Sequence, residues 1–298
     1  MKRKYRRLIS RSMVIAALVG LGLGYCLLLP MSDRFVRYLI WQWSSPASVV
    51  EGSVQSQGTK IHYVSYGHGP AVLLLHGGLS HRLSWFAQIP WLVESGRQVV
   101  LIDSRGHGDS GLGKAELTYR LLAEDAVAVL DTLHIQQTDV IGWSDGGNTA
   151  LMLGLYWPDR IRRLVAISAN FNPSGLTPTA QKESSGKSSG MIYWIKRWWT
   201  GAGRHLTELE TRVERLWRTR PQLEPMDLTH ITCPTLVIVG QKDSVSIAHA
   251  TTLSEALPHG TLAIVPGGHA TPVTHPQQVN ALISRFLARD DPMEAPTD

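Results

Sequence analysis

The chain has 298 residues, 43% hydrophobic and 18% charged, with ordinary glycine and proline usage; it is long enough to bury a sizeable core, and this composition excludes a disordered, collagenous or low-complexity protein. Two cysteines, Cys26 and Cys233, exclude a disulfide scaffold and a cysteine-rich zinc site. The net charge of +5 belongs to the tail: Lys2, Arg3, Lys4, Arg6, Arg7 and Arg11 precede the first acid, Asp33, so the rest of the chain is nearly balanced and nothing points to a nucleic-acid partner.

Met13 to Leu29 is an uncharged apolar run followed by Pro30. As a helix it would be about 25 Å long, within the workable range for a membrane span. Six cations before it predict a cytoplasmic N-terminus and an exported body. Residues 1–32 therefore read as a basic tail and transmembrane signal-anchor, which makes the membrane a partner through this helix. A cleaved secretion signal has the same layout, though no small-x-small site follows the run; a buried soluble helix is the third reading. Residues 33–52 read as a juxtamembrane segment and linker. There Trp41 and Trp43, beside Arg34 and Arg37, suit either a membrane–water interface or a helix packed on the body.

From residue 53 to 289, short apolar runs alternate with longer amphipathic stretches. Strands are expected at Ile61–Tyr66, Ala71–Leu75, Gln98–Ile102, Asp139–Gly142, Arg163–Ile167, Thr235–Val239 and Thr261–Val265. Several are continuous Val/Ile/Leu runs, as strands covered on both faces require. Helices are expected at Tyr119–Leu133, Asn148–Trp157, Ile247–Leu257 and Pro276–Ala288. The pattern is α/β with a mainly parallel sheet. Residues 171–228 carry no strand signal and read as a helical cap inserted over the carboxyl edge of the sheet, where ligands bind in open α/β folds. Within the cap, Met191, Trp194, Ile195, Trp198 and Trp199 recur at helical spacing; the stripe packs on the core or docks on a membrane. The surplus of Lys and Arg over residues 182–220 suits an anionic surface, an acidic substrate or a solvated helix face. Residues 290–298 form a C-terminal tail.

The chemistry is concentrated after the strands. Gly142-Trp143-Ser144-Asp145-Gly146-Gly147 follows the strand D-V-I-G and precedes a helix. A strand-to-helix turn that sharp needs Gly142 and Gly146 and exposes the Ser144 hydroxyl. The following helix aims its N–H groups and positive dipole end at that hydroxyl. A serine nucleophile needs a base, oriented by an acid. Asp243, in the loop after T-L-V-I-V, fits the acid, and His269, in the loop after T-L-A-I-V, fits the base. His249, His259 and His275 are rival bases, each expected to be exposed, and Asp103 is a rival acid expected to be structural.

Two backbone N–H donors are needed for a developing oxyanion. Asp145 supplies one; Gly78, or Leu79 next to it, supplies the other from the loop His76-Gly77-Gly78-Leu79. His76 reads as structural. The segment Asp103–Ser110 (D-S-R-G-H-G-D-S) lacks the phosphate-binding spacings and reads as a tight loop flanking the site. Trp143, Trp194 and Trp198 are candidate pocket residues, and Asp145 could recognise a substrate amine or serve a structural hydrogen bond. No metal-ligand spacing is present.

The segments H-G-G, D-S-R-G-H-G-D-S, G-W-S-D-G-G, G-Q-K-D and P-G-G-H-A, in that order over residues 53–289, resemble the α/β-hydrolase superfamily. The resemblance is nearest to capped small-molecule esterases and lactonases, including the biphenyl-hydrolase-like group. It implies the α/β-hydrolase fold, an eight-stranded mostly parallel sheet with flanking helices and a helical cap, and a Ser144–Asp243–His269 triad with no cofactor. Epoxide hydrolases and haloalkane dehalogenases place Asp where Ser144 stands. The expected substrate is a small-molecule ester or lactone, cleaved through an acyl-enzyme by a membrane-anchored, exported domain. Hydrolysis of amino-acid esters or amides, C–C bond hydrolysis and non-catalytic ligand binding are the alternatives.

Overall fold

The computed structural model describes residues 29–178, 197 and 200–288. The chain divides into two units, Met1–Ser45 and Pro46–Asp298. In the first, helix α1 (Leu29–Ser44) carries an Arg37–Asp33 ion pair one turn apart and leaves Ile40 and Trp43 exposed. None of the described helices is long and apolar enough to cross a membrane. The run Met13–Leu29, apart from its last residue, lies outside the described residues.

The second unit is built on an eight-stranded sheet: β1 (Val49–Ser56), β2 (Thr59–Tyr66), β3 (Ala71–Leu75), β4 (Gln98–Asp103), β5 (Thr138–Trp143), β6 (Ile161–Ile167), β7 (Thr235–Lys242) and β8 (Gly260–Gly268), in the spatial order 1-2-4-3-5-6-7-8. β1 and β2 pair antiparallel, as do β2 and β4; all later pairings are parallel. All seven strands read from the apolar runs are present. The eighth, β1, begins at Val49 and so corrects the reading of residues 33–52 as juxtamembrane segment and linker at its last four positions. It was masked because its outward positions are polar or exposed, yet Gln57 and Gly58, both at positive φ, make the two-residue turn that twisted hairpins favour.

Helices α2 (Ile89–Glu94), α3 (Tyr119–Thr132), α4 (Asp145–Tyr156), α5 (Leu206–Thr219), α6 (Pro225–Leu228), α7 (Ile247–Ala256), α8 (Thr271–Thr274) and α9 (Pro276–Leu287) surround the sheet. Thr118 caps α3 by accepting the Leu121 amide, and Ser246 caps α7 by accepting the His249 amide. Side chains alternate across the strands. Leu73, Leu75, Val140, Leu164, Ala166 and Val237 join one buried cluster with residues of α3, α4, α5 and α7. Val72, Leu74, Leu101, Ile141 and Val165 are equally buried but lie outside that cluster; α2 packs on β4, and α9 on β7 and β8. Burial on both faces is why β3 reads as an unbroken apolar run and why Leu164–Ile167 of β6 does the same.

The excursion between β6 and β7 leaves and returns at fixed points. Leu176 bridges Val245, the Thr177 amide donates to Ser244 O, and the Leu223 amide donates to Phe171 O. α5 buries Leu206, Leu209, Val213 and Leu216 in the main core. Of the tryptophans expected in the cap, Trp194, Trp198 and Trp199 lie outside the described residues, as do Met191 and Ile195.

Candidate active site

Ser144 stands between β5 and α4 at φ 56°, ψ −120°, a conformation costly for a residue with a Cβ. The chain accepts that strain because its neighbours are tied down: the Ser144 amide donates to Ile167 O (2.8 Å) and its carbonyl accepts the Asn148 amide (3.0 Å). A Cβ on Gly142 would collide with the Gly146 carbonyl, and one on Gly146 with the Leu75 carbonyl. The glycines permit the close backbone crossing that lifts the serine hydroxyl out of the turn.

The structure brings together the three residues expected from separate strand ends. His269 Nδ1 lies 2.7 Å from Asp243 Oδ1, and His269 Nε2 lies 2.9 Å from Ser144 Oγ. A carboxylate only accepts, so Nδ1 carries the proton and Nε2 is left to accept the serine hydroxyl. Asp243 is buried. Burial disfavours its charge, but hydrogen bonds from His269, from the Ser168 hydroxyl (2.6 Å) and from the Gly240 amide (3.0 Å) outweigh this and hold its carboxyl below the usual range. The Val245 amide donates to the other oxygen at 3.2 Å.

The rivals are placed elsewhere. Asp103 is fully buried and takes the Arg82 guanidinium and the Arg82 and Asp109 amides, with His62 at 3.4 Å. Burial alone would raise its carboxyl, yet the His62 contact and the Arg82 charge hold it well below the usual range. His249, expected to be exposed, is buried instead: its ring stacks on Phe171 at 3.9 Å and Nε2 accepts the Phe171 amide. Desolvation lowers it to about 4. His259 is exposed and His275 is partly buried beside the Thr274 hydroxyl.

The oxyanion-side donors are narrowed by the backbone. Asp145 is the first residue of α4, where a helix has no internal acceptor for the N–H. The Leu79 amide is corrected as a candidate, because it donates to His107 Nε2 at 3.0 Å. Gly78 lies against the Asp145 carboxylate and the Trp217 ring. That carboxylate is buried and accepts the Tyr119 hydroxyl (2.8 Å) and the Trp217 indole N–H (2.8 and 2.9 Å). Desolvation raises its pKa, with Trp217 and Tyr119 opposing. Those two partners occupy the Asp145 carboxylate, and the Trp217 bond ties α5 to the turn. The Trp143 indole N–H donates to the His269 carbonyl at 2.8 Å and its ring meets Trp85 edge-on; it steadies the histidine loop.

The loop after β4 carries a buried, bidentate Arg105–Asp125 pair (2.6 and 2.7 Å), with the Ser56 carbonyl completing the guanidinium's partners. Ser168, Tyr119, Trp217 and His107 were not legible as site residues. Each lies in an ordinary strand, helix or loop context and acquires its role only through a contact far along the chain.

Residues 70–188 match the α/β-hydrolase fold family. The bifunctional epoxide hydrolase 2 of Sus scrofa is 33% identical over 132 residues, 43% of this chain and 24% of that protein; the chain thus spans about a quarter of that relative's length. A candidate carbamate hydrolase of Caulobacter sp. strain K31 is 30% identical over 250 residues, 74% of this chain and 93% of that protein. The solved enol-lactonase of Burkholderia xenovorans LB400 superposes with a TM-score of 0.67 at 21% identity, covering 80% of this chain and 100% of its own. Sheet order, turn and relatives agree: the chain belongs to the α/β-hydrolase superfamily.

Proposed function

We propose that this chain is a hydrolase that cleaves carboxylic esters or lactones of small molecules through a Ser144 acyl-enzyme. The observation that carries this reading is the continuous hydrogen-bond chain Ser144 Oγ–His269 Nε2 and His269 Nδ1–Asp243 Oδ1, at 2.9 and 2.7 Å, on a positive-φ serine. In this reading His269 takes the serine proton as Oγ attacks the carbonyl, and Asp243 keeps the imidazole oriented and stabilises its cation. The Asp145 and Gly78 amides receive the oxyanion, each worth roughly 3 kcal/mol of transition-state stabilisation. His269 then returns its proton to the departing alkoxide. Water, deprotonated by the same imidazole, releases the acid. A serine at the turn supports this reading over epoxide opening, despite the epoxide hydrolase relatives. Tyr119 and Trp217 on the Asp145 carboxylate favour uncharged acyl groups over amino-acid esters.

The full chain, solubilised in mild detergent, should react one-to-one with a fluorophosphonate probe at Ser144, and Ser144→Ala and His269→Ala should abolish labelling. A folded, accessible chain that takes no probe would refute the reading. Met13–Leu29 and the basic tail are proposed to anchor this domain on the exported side of a membrane; release of the full chain by alkaline carbonate would refute the anchor.

A further inference from the structure

The proposed oxyanion donor, the Gly78 N–H, belongs to a peptide flanked by two glycines, Gly77 and Gly78. Such a peptide can rotate at little cost, and a rotated peptide would present a carbonyl where a donor is required. Imidazoles hold this peptide and the one after it. The Gly77 carbonyl accepts His76 Nδ1–H at 2.7 Å. Because the peptide is planar and trans, this directs the Gly78 N–H the opposite way. The next peptide is held by its amide: Leu79 N–H donates to His107 Nε2 at 3.0 Å, with Leu79 at φ 52°, a strained conformation for a side chain of its size.

Each ring is itself locked. His107 Nδ1–H donates to Arg105 O at 2.9 Å, which leaves Nε2 without a proton and able to accept. Arg105 is anchored by Asp125 and the Ser56 carbonyl. His76 Nε2 accepts the Ser104 amide at 3.0 Å, and the two rings meet edge-on with centroids 5.1 Å apart. Both are buried. Desolvation, with the neighbouring His76 charge adding to it at His107, keeps them neutral until about 4 and about 3, so the donor–acceptor pattern persists across the neutral range.

We propose that His107 is a positioning residue for the oxyanion donor: by accepting the Leu79 amide it holds the strained Gly78-Leu79 corner, which with His76 aims the Gly78 N–H at the Ser144 carbonyl adduct. The inference rests on the serine hydrolase reading. The D-S-R-G-H-G-D-S segment, structural by sequence, thereby acts on the reaction through the loop opposite it.

The test compares His107→Phe, which keeps a ring but loses the acceptor, with His107→Gln, whose amide oxygen reaches the place of Nε2. Full-length proteins are measured with a p-nitrophenyl ester, a trifluoromethyl ketone and the fluorophosphonate probe. The phenylalanine variant should lose about 10- to 100-fold in kcat with KM nearly unchanged, and its ketone affinity should weaken by a similar factor. The glutamine variant should recover most of both. If His107→Phe does not fold, His107→Asn replaces it, since its shorter side chain cannot reach the Leu79 amide. A folded His107→Phe with unaltered kcat and labelling rate would overturn this inference alone, as would equal losses in His107→Gln. An unaltered chain that takes no probe would overturn the serine hydrolase reading and this inference together.

Discussion

Replacing Trp217 by phenylalanine tests the tie between α5 and the turn that carries Ser144. The indole N–H lies 2.8 and 2.9 Å from the two oxygens of Asp145. Without it, the buried carboxylate keeps the Tyr119 hydroxyl on Oδ1 and loses its side-chain donor on Oδ2. A hydrogen bond to a buried charge is worth about 1.5–3 kcal/mol, and the smaller ring adds a packing loss of about 1 kcal/mol. Trp217→Phe should therefore destabilise the protein by roughly 2.5–4 kcal/mol at pH 8. The sign of its pH dependence follows from the same contact. Desolvation already holds the Asp145 carboxyl above its ordinary value, with Trp217 opposing; removing Trp217 raises it further. A protonated acid needs fewer donors, so the penalty should shrink as the pH falls towards 5. Urea unfolding of both proteins at pH 8 and pH 5, followed by fluorescence and circular dichroism, measures it. A change below about 0.5 kcal/mol, the size of an ordinary surface substitution, or one independent of pH, would refute the reasoning.

Two further outcomes are expected. Ser168→Ala keeps the Cβ at the strained φ of 52° and removes only the 2.6 Å hydrogen bond to Asp243. The carboxylate becomes more basic and holds the imidazolium more strongly, so the acid limb of the kcat/KM profile should move up by a few tenths of a pH unit; an unmoved limb would exclude the coupling. Stability should fall steeply between about pH 6.5 and 4. An unfolded histidine binds its proton near 6.5, whereas folded His76 and His107 do so only at about 4 and about 3. Unfolding therefore takes up protons in this window, and each ring withdraws on the order of 3 kcal/mol as the pH falls. His62, raised above its ordinary value through Asp103 despite burial, acts in the opposite direction. A denaturation midpoint that stays flat from pH 7 to 4.5 would contradict this, and His107→Gln should flatten the slope.

Much of the architecture could be read before any coordinates. Runs such as A-V-L-L-L and R-L-V-A-I admit little besides strands buried on both faces, and G-W-S-D-G-G between strand and helix admits little besides a sharp turn. Residue order then placed Asp243 and His269 after later strands. β1 escaped because an edge strand needs only one buried face and so carries no continuous apolar run. The tryptophan stripe of the cap lies outside the described residues, and its expected roof over the pocket stands as an expectation.

What the amino-acid order determined by itself is the set of elements and the ends at which reactive groups stand, because hydrophobic periodicity and glycine spacing are local properties of the chain. Which nitrogen of His269 accepts, which amide is spent on His107, and why a carboxylate beside the serine is tied to Trp217 were decided only by tertiary packing. Hydrogen bonds between residues 28, 72 and 125 positions apart depend on directions and distances to within a few tenths of an ångström, and the parallel sheet creates that precision when it stacks the strand ends side by side.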